Sequence, residues 1–348
     1  MLIVNFLLVF GAGLGLAFVL TPLAAWVGRR WGLTDRPGGR RRHLGAVPRT
    51  GGVALYLAFT LAVILAQFLP VPRFDPQEVT RLLGLLWGGA IIFVYGLADD
   101  RWDLDPRLQL AIQVAACAVA VGHLIFVEYI FSPLDNQRID FPAWFTLLFS
   151  LFWLVGMTNT VNWLDGLDGL AAGVTAVASL VLFANAAFRL DPPQLSVSLL
   201  PLALAGACLG FLPWNVHPAR AFMGSGALFL GFTLGCLSII GGAKAAAVLL
   251  VMAIPVMDVA WLIVARLRRG QSPLVGGRDH LHFRLLDAGL PQRAIVLGYY
   301  AFCAAFGGLT LLVSSRLFKL IALLVLGLLA AGVLALAERV GKTDRDAR

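Results

Sequence analysis

Apolar stretches long enough to cross a lipid bilayer follow one another along nearly the whole chain. A spanning helix needs about 20 largely apolar residues, because the hydrocarbon core is about 30 Å thick and a helix rises roughly 1.5 Å per residue. We count about eleven such stretches, or ten if two that are joined by a brief turn are merged. They lie near residues 4–27, 51–70, 82–98, 108–127, 143–160, 164–187, 197–213, 222–241, 245–265, 294–313 and 317–337. The pattern predicts an all-α, polytopic transmembrane helical bundle.

The composition agrees with this class of protein. Of the 348 residues, 59% are hydrophobic and 13% are charged, against about 45–50% apolar and about 25% charged residues in soluble domains. The net charge of +8 is distributed over short connectors between apolar stretches. Membrane proteins place basic residues in this way, so no nucleic-acid partner is expected. The four cysteines lie far apart in apolar stretches, which predicts buried thiols rather than disulfides or a metal site.

The basic residues predict which side of the membrane each connector faces. Connectors after odd-numbered stretches, together with the C-terminal tail, contain twenty Lys and Arg, and the other connectors contain seven. Because Lys and Arg accumulate in cytoplasmic connectors, we place the N-terminus outside and the C-terminus in the cytoplasm, with the protein in the inner or plasma membrane. The first stretch has no basic leader and is interpreted as a retained span.

The uncommon polar residues follow the same alternation. They fall in connectors that the charge bias assigns to the cytoplasm, at about residues 28–50, 98–108, 157–168, 213–226 and 266–293. The opposite connectors, such as those with Arg73 and Arg189, are interpreted as solvated turns. A transporter would more often place its key polar groups near the bilayer midplane. We therefore predict that residues 1–348 form one transmembrane domain, whose site at the membrane edge meets a cytosolic substrate and a lipid headgroup.

Two adjacent carboxylates, Asp99 and Asp100, end the third apolar stretch. A carboxylate at the bilayer centre costs about 2.5–3.5 kcal/mol on insertion scales, so the pair belongs at the water edge. Neighbouring residues of a helix point about 100° apart, so that one carboxylate can face a metal ion while the other faces a substrate. The alternative is a solvated helix end.

A second polar series is more regular, since Asn159, Asn162, Asp165 and Asp168 recur at every third position. On a helix such residues share one face. Amide and carboxylate oxygens are hard ligands suited to Mg²⁺, and they also hydrogen-bond a base or a ribose. The series therefore predicts a binding face rather than a surface turn.

Two basic connectors add candidate phosphate contacts. The first contains Arg40 and His43, and the last contains His280 and His282. The Arg fork donates two parallel hydrogen bonds to phosphate, although a basic cytoplasmic loop can equally set topology or attract anionic lipid. No Cys or third His lies near the two histidines in sequence, which favours phosphate contact over zinc.

Taken together, these motifs resemble the polyprenyl-phosphate N-acetylhexosamine-1-phosphate transferases (glycosyltransferase family 4). The residues that carry the resemblance are Asp35, Pro37, Arg40, His43, Pro48, Gly51, Gly52, Asp99, Asp100, Asn159, Asn162, Asp165, Asp168, those at 210–215 and 218–224, His280 and His282. The last connector looks most like that of the undecaprenyl-phosphate N-acetylglucosamine-1-phosphate transferases. The phospho-N-acetylmuramoyl-pentapeptide transferases are the alternative branch.

The resemblance implies a reaction in which an oxygen of polyprenyl phosphate attacks the β-phosphorus of a UDP-amino sugar, most closely UDP-N-acetylglucosamine, and UMP leaves. The lipid acceptor would be undecaprenyl phosphate, and its product would initiate a cell-envelope polysaccharide such as lipopolysaccharide or teichoic acid. The implied cofactor is Mg²⁺, with Mn²⁺ as an alternative ion. A homodimer is compatible with the resemblance by analogy only.

The resemblance also implies roles for individual residues. Catalytic roles fall to Asp99, Asp100 and Asp165, and metal ligation to Asn162 and Asp100. Substrate contacts fall to Asp168, Asn159, His280, His282, Arg40, His43, Arg107 and Asn215. Arg107 is included because Gln109 stands where the family often has a basic residue.

One departure from the family pattern affects the implied metal site. The family normally reads Phe-Met-Gly-Asp-x-Gly, whose Asp is a principal Mg²⁺ ligand, whereas here Gly224 is followed directly by Ser225 and Gly226. Because ligand charge governs the affinity for a hard cation, the missing carboxylate predicts a weaker site. Two interpretations stay open: an enzyme whose remaining ligands hold the metal, or a catalytically impaired relative that binds a UDP-sugar or a polyprenyl lipid.

Overall fold

Helices make up 74% of the computed structural model, which describes residues 1–35, 45–241, 245–272, 277, 279–328 and 332. The helices are α1 (Leu2–Arg30), α2 (Gly51–Gln67), α3 (Glu78–Trp102), α4 (Pro106–Gly122), α5 (Ala143–Leu164), α6 (Leu170–Phe188), α7 (Leu195–Asn215), α8 (Gly226–Ile240), α9 (Ala245–Val251), α10 (Ala253–Arg268), α11 (Leu281–Asp287) and α12 (Gln292–Leu312). Residues 316–328 are helical again. The predicted all-α class is confirmed.

Two short antiparallel hairpins are the exception to the helical pattern. In one, β1 (Thr34–Asp35) pairs with β2 (Val47–Pro48). In the other, β3 (Tyr129–Phe131) pairs with β4 (Arg138–Asp140). Both hairpins lie in connectors, where backbone outside the apolar helices needs hydrogen-bond partners of its own.

Within the described chain, six helices are long and apolar enough to cross a membrane: α1, α3, α5, α6, α7 and α12. The apolar helices α2, α4 and α8 are shorter, at 17, 17 and 15 residues. The multi-pass prediction is confirmed, while the expected number of about eleven spans is larger than the number of helices that qualify by length and composition.

The predicted stretch 245–265 is not one continuous helix. It forms α9 and α10, which are separated by Met252. Pro255 lies in the first turn of α10 and has no N–H to donate to the carbonyl of Val251, so the backbone ladder is interrupted there. The interruption begins the helix that carries Asp258, a buried carboxylate.

The helix α8 lies at the centre of the bundle. All fifteen of its residues are buried, and α5, α3 and α6 pack against it. The outer helices α1, α3 and α5 expose large apolar side chains, including Phe18, Trp87 and Phe152. Because a spanning helix satisfies its own backbone hydrogen bonds, these apolar faces are suited to lipid.

Small residues allow α1 and α7 to approach each other closely. A Cβ added to Gly13 of α1 would lie 2.7 Å from the carbonyl oxygen of Ala203 in α7. A Cβ on Gly210 of α7 would lie 2.1 Å from the carbonyl oxygen of Leu14. Since lipid is as apolar as the helices, such close packing is a main source of helix association in membranes.

The connector with Arg73 is exposed at most of its positions, in agreement with the interpretation from sequence, but it also contributes to a network that was not predicted. Arg73 forms an ion pair with the buried Glu78 at the start of α3, and Ser196 at the start of α7 donates to the other Glu78 oxygen at 2.7 Å. Arg73 also donates to the carbonyl of Ala66 near the end of α2 at 3.2 Å. This network joins three helices on the face opposite to the ends of α3 and α7.

The close contact of α1 with α7 gives a matched test. Gly13→Ala should lower the thermal stability of the purified protein, by about 1–3 kcal/mol, because the added methyl group overpacks the contact. Gly15→Ala lies in the same helix, and a Cβ added at Gly15 would meet nothing within 4 Å. This second change should leave stability unchanged or raise it by up to about 1 kcal/mol through helix propensity. Thermal melting in detergent micelles measures both, and equal behaviour of the two variants would contradict this packing.

Candidate active site

Hydrogen bonds join the connectors at the end of the bundle where α3, α5 and α7 finish. The amides of Gly51 and Gly52 donate to the carbonyls of Phe222 and Met223 at 2.9 and 3.0 Å. The first loop is thereby fastened to the segment that precedes α8. The described parts of these connectors lie together on one face, as predicted. Which side of the membrane this face meets stays a prediction.

Asn215 connects two further segments at this end. Its Oδ1 accepts from the amide of Gly169 at 3.0 Å, and its Nδ2 donates to the carbonyl of Ala221 at 3.0 Å. The side chain is buried, and both of its polar atoms are engaged by backbone. In this structure Asn215 therefore fixes the turn before α6, and its predicted substrate contact stays a prediction.

Ser225 follows Gly224 directly, at the point where the family pattern has an Asp. It binds both carboxylates at the end of α3. Its amide donates to Oδ1 and Oδ2 of Asp100 at 3.1 and 3.0 Å. Its hydroxyl lies 3.1 Å from Asp100 Oδ1 and 3.3 Å from Asp99 Oδ2. The other Asp99 oxygen accepts from the amide of Leu104 at 3.0 Å. Neutral donors thus hold the two negative charges at the membrane edge.

Gly224 makes the approach of Ser225 to α3 possible. Its φ of +58° lies in the left-handed region that favours glycine. A Cβ at this position would lie 2.4 Å from Asp100 Oδ2 and 2.4 Å from the carbonyl oxygen of Arg49. The turn therefore has no room for a side chain, and Ser225 is the residue at which α8 is capped.

Asp165 is the least stabilised carboxylate of the group. Burial, and then the negative charges of Asp168 and Asp100, raise the pKa of Asp165 well above its ordinary value, and the Arg49 guanidinium opposes this only in part. Its side chain makes no hydrogen bond to any residue that the structure describes, and the same holds for Asn162 one helical turn earlier. The negative charge of Asp100 acts on Asp165, so these two carboxylates lie near each other.

The other two members of the regular polar series have partners. Asp168 Oδ2 accepts from Nδ1 of His217 at 2.7 Å and from the amide of Ala219 at 3.2 Å. Asn159 exchanges hydrogen bonds with the amide of Gln113 in α4, at 2.6 and 3.3 Å. Asn159 therefore lies deeper in the bundle than Asp165 and faces α4. Only later members of the series lie near the carboxylates at the end of α3.

The histidines of the last connector lie against the segment that follows α5. The rings of His280 and His282 stack with centroids 5.5 Å apart, and the His280 ring lies 5.8 Å from that of Trp163. A Cβ on Gly166 would come within 2.4 Å of His282 Nε2. The structure thus brings both histidines next to the segment that contains Asp165, and their predicted contact with substrate stays a prediction.

The cluster that the structure describes does not include three of the residues predicted to contact substrate. Arg107 is exposed at the start of α4, and its amide is bound by the side chain of Asp105 at 2.6 Å. Arg40 and His43 lie outside the described residues. Their roles stay predictions.

Sequence reasoning assigned no role to Asp258 or His217, although each binds a predicted site residue. Asp258 is the only charged residue in the stretch 245–265. An ionisable residue within an apolar span is a functional candidate by default, so this signal was available. The pairing of His217 with Asp168 has no comparable signal, because 49 positions separate the two residues.

The described residues contain no group of three or more His, Cys, Asp or Glu side chains placed to hold a metal ion. They do contain oxygen atoms of suitable chemistry, in Asp165 with Asp100 near it and in Asn162 one helical turn before Asp165. A cation would relieve the repulsion between these carboxylates. The set therefore fits a hard cation that takes an amide and water among its ligands.

The fold and the site together define a multi-pass membrane protein with a carboxylate and histidine cluster at one end of its bundle. A sequence model of glycosyl transferase family 4 matches residues 82–242. Decaprenyl-phosphate N-acetylglucosaminephosphotransferase of Mycolicibacterium smegmatis is 34% identical over 324 residues, which cover 85% of this chain and 80% of the relative. The chain belongs to glycosyl transferase family 4, the family of polyprenyl-phosphate N-acetylhexosamine-1-phosphate transferases, and the resemblance seen in its motifs is confirmed.

Two other relatives represent two branches of this family. A probable undecaprenyl-phosphate N-acetylglucosaminyl 1-phosphate transferase of Bacillus subtilis is 29% identical over 289 residues, which cover 81% of this chain and 77% of the relative. The phospho-N-acetylmuramoyl-pentapeptide-transferase of Moorella thermoacetica is 34% identical over 319 residues, which cover 84% of this chain and 93% of the relative.

The contrasting surroundings of Asp165 and Asp168 predict opposite effects of the same substitution. Asp165→Asn should raise the melting temperature at pH 8 by about 1–2 °C, the shift that roughly 1 kcal/mol gives in a chain of 348 residues. The gain should shrink as the pH falls, because a carboxyl whose pKa is raised in the folded state destabilises that state only when it is ionised.

Asp168→Asn is the matched comparison. It should lower the melting temperature at pH 8, because Asn accepts the hydrogen bonds from His217 and Ala219 less strongly than a carboxylate does. Melting curves in detergent between pH 5 and pH 8 measure both variants. A loss of stability on Asp165→Asn at pH 8 would contradict the account of this carboxylate.

Proposed function

We propose that this protein transfers N-acetylglucosamine 1-phosphate from UDP-N-acetylglucosamine to undecaprenyl phosphate, giving the lipid diphospho-sugar and UMP. The observation that carries the proposal is the meeting of Asp99, Asp100 and Asp165 with His280 and His282 at one end of a membrane bundle. Membership of the family and the names of two relatives support it. The bias of basic residues, twenty against seven, supports a cytoplasmic site in the plasma membrane.

In the proposed reaction an oxygen of the lipid phosphate attacks the β-phosphorus of the UDP-sugar. The new P–O bond forms as the bond from that phosphorus to the bridging oxygen breaks, and UMP leaves with the bridging oxygen. A phosphate monoester with a second pKa of about 6 is largely ionised at neutral pH, so no strong base is required. Catalysis then depends on positioning the two substrates and on offsetting their charge.

The residues of the site divide this work between them. Asp100 and Asp165 would lie where two anionic substrates meet, and the two histidines, which stack on each other beside Gly166, would contact the UDP-sugar. Asn162, Asp165 and Asp100 would hold Mg²⁺ or Mn²⁺, which when bound would offset the negative charge of the diphosphate.

A small cavity beside the carboxylates supports a lipid phosphate as the acceptor. Arg49 and Asp100 line its polar part, and Val53, Phe93 and Leu97 line its apolar part. Its enclosed volume of about 10 Å³ holds little more than one water molecule, far below the roughly 300–1,000 Å³ of pockets that enclose a drug-sized ligand. The cavity itself does not enclose a substrate, and its support for the acceptor is the position of Arg49 beside a carboxylate and the apolar side chains of α2 and α3.

Release of UMP by the purified protein, supplied with UDP-N-acetylglucosamine, undecaprenyl phosphate and Mg²⁺, tests the proposal. Asp100→Asn should lower the rate by at least about 100-fold, as expected when a preorganised charged group in the site is neutralised. Asp140→Asn, the same change at an exposed position of β4, is the control and should leave the rate unchanged. Removal of the divalent ion with EDTA should also stop release.

The missing carboxylate after Gly224 favours one second candidate, an impaired relative that binds a UDP-sugar or a polyprenyl lipid without turnover. A variant with an Asp inserted between Gly224 and Ser225 separates the two. We expect the unmodified chain to turn over and to require more Mg²⁺ for half-maximal rate than the insertion variant. Binding of UDP-N-acetylglucosamine without UMP release by the unmodified chain would support the impaired relative, and failure of both chains to release UMP would overturn the transferase.

The donor substrate is tested in the same assay. UDP-N-acetylmuramoyl-pentapeptide should release little UMP compared with UDP-N-acetylglucosamine, because the His-Leu-His segment at 280–282 looks like that of the N-acetylglucosamine branch. A preference for the muramoyl donor would place the chain in the other branch.

A further inference from the structure

We infer that Asp258 is a positioning residue for the transfer reaction, which fixes the tautomer and the orientation of His280 so that only Nε2 is left for the UDP-sugar. The inference rests on the proposed function. It concerns a residue of α10 that lies 22 positions before its partner and belongs to none of the motifs that carried the family resemblance.

The contact between the two residues is close and enclosed. Nδ1 of His280 lies 2.8 Å from Oδ2 of Asp258, and the amide of Leu281 donates to Oδ1 at 2.9 Å. Asp258 and His280 are each only 5% exposed. Both carboxylate oxygens of Asp258 therefore have a partner, and one side chain of α10 holds the point at which the connector ends and α11 begins.

The chemistry of a buried carboxylate fixes the proton on the ring. An ionised carboxylate can only accept hydrogen bonds, and burying it without a partner is costly. Asp258 is therefore stable in the apolar α10 when Nδ1 of His280 carries a proton. In the neutral ring Nε2 is then the acceptor, and the same pairing is known to orient histidines that bind metals or substrates.

The neighbours of His280 connect its ring to the segment that follows α5. One ring face stacks on His282, with an interplanar angle of 9°, and Trp163 at the end of α5 lies 5.8 Å away. His282 in turn contacts Gly166, which follows Asp165. A change in the ring orientation of His280 would therefore be felt next to the carboxylates that meet the nucleotide sugar.

A double-mutant cycle separates positioning from a structural role. Asp258→Asn should lower kcat/KM for UDP-N-acetylglucosamine by about 10–100-fold, the range found when an orienting partner of a functional histidine is removed. In a His280→Ala background the same change should have almost no further effect, because Asp258 then has no ring to orient. The KM for undecaprenyl phosphate should stay unchanged in all these variants.

Asp168→Asn in the His280→Ala background is the matched control. Asp168 binds His217 and not His280, so its effect should add to that of His280→Ala. Losses from Asp258→Asn that also add to those of His280→Ala would overturn the inference, as would an Asp258→Asn variant with wild-type kinetics.

A second measurement uses the intact protein and needs neither turnover nor a folded Asp258 variant. In ¹⁵N-histidine-labelled wild type, with His280→Ala used to assign the signal, Nδ1 of His280 should be protonated. An Nε2-protonated neutral ring would overturn the inference. If the wild type released no UMP, the proposed function would fail, and the tautomer would still decide whether Asp258 orients this ring.

Discussion

The hydrocarbon core of a membrane offers no hydrogen bonds, so a charged side chain of this bundle must reach a helix end or find a partner. Glu78 is buried at one end because Arg73 and Ser196 bind it, and Asp258 is buried near the other because His280 and a backbone amide do. Asp99 and Asp100 lie in the last turn of α3, and Asp165 directly follows α5. The candidate active site is a consequence of this sorting, since helices that alternate in direction bring those last turns together on one face.

Within the site, the central feature is the way in which negative charge is held. The Asp that the family pattern has after Gly224 is absent. At this point of the chain the amide and hydroxyl of Ser225 bind the carboxylates of Asp99 and Asp100. Hydrogen bonds from neutral groups stabilise a carboxylate less than a nearby cation does. Asp165, which receives no such bond from the described residues, keeps a raised pKa. A site of this kind has a strong electrostatic reason to take up a cation together with its anionic substrates.

Which carboxylates come together at the site could be predicted from sequence, but which residues they bind could not. The position of Asp99, Asp100 and Asp165 at one face follows from counting apolar stretches and basic connectors. The partners of these residues depend on which helices lie side by side, and this is set by close contacts such as Gly13 on Ala203 that no local pattern encodes. For the same reason the ion pair of Arg73 with the buried Glu78 was not predicted, although the connector that contains Arg73 was recognised.

Transfer of the β-phosphorus is the central claim, and its fate can be followed directly. UDP-N-acetylglucosamine labelled with ³²P in the β-phosphate, supplied with undecaprenyl phosphate, should yield labelled lipid and unlabelled UMP, because the bond between the β-phosphorus and the bridging oxygen of UMP is the one that breaks. Label that stays in UDP, or that appears only in water-soluble sugar phosphate, would contradict the transfer.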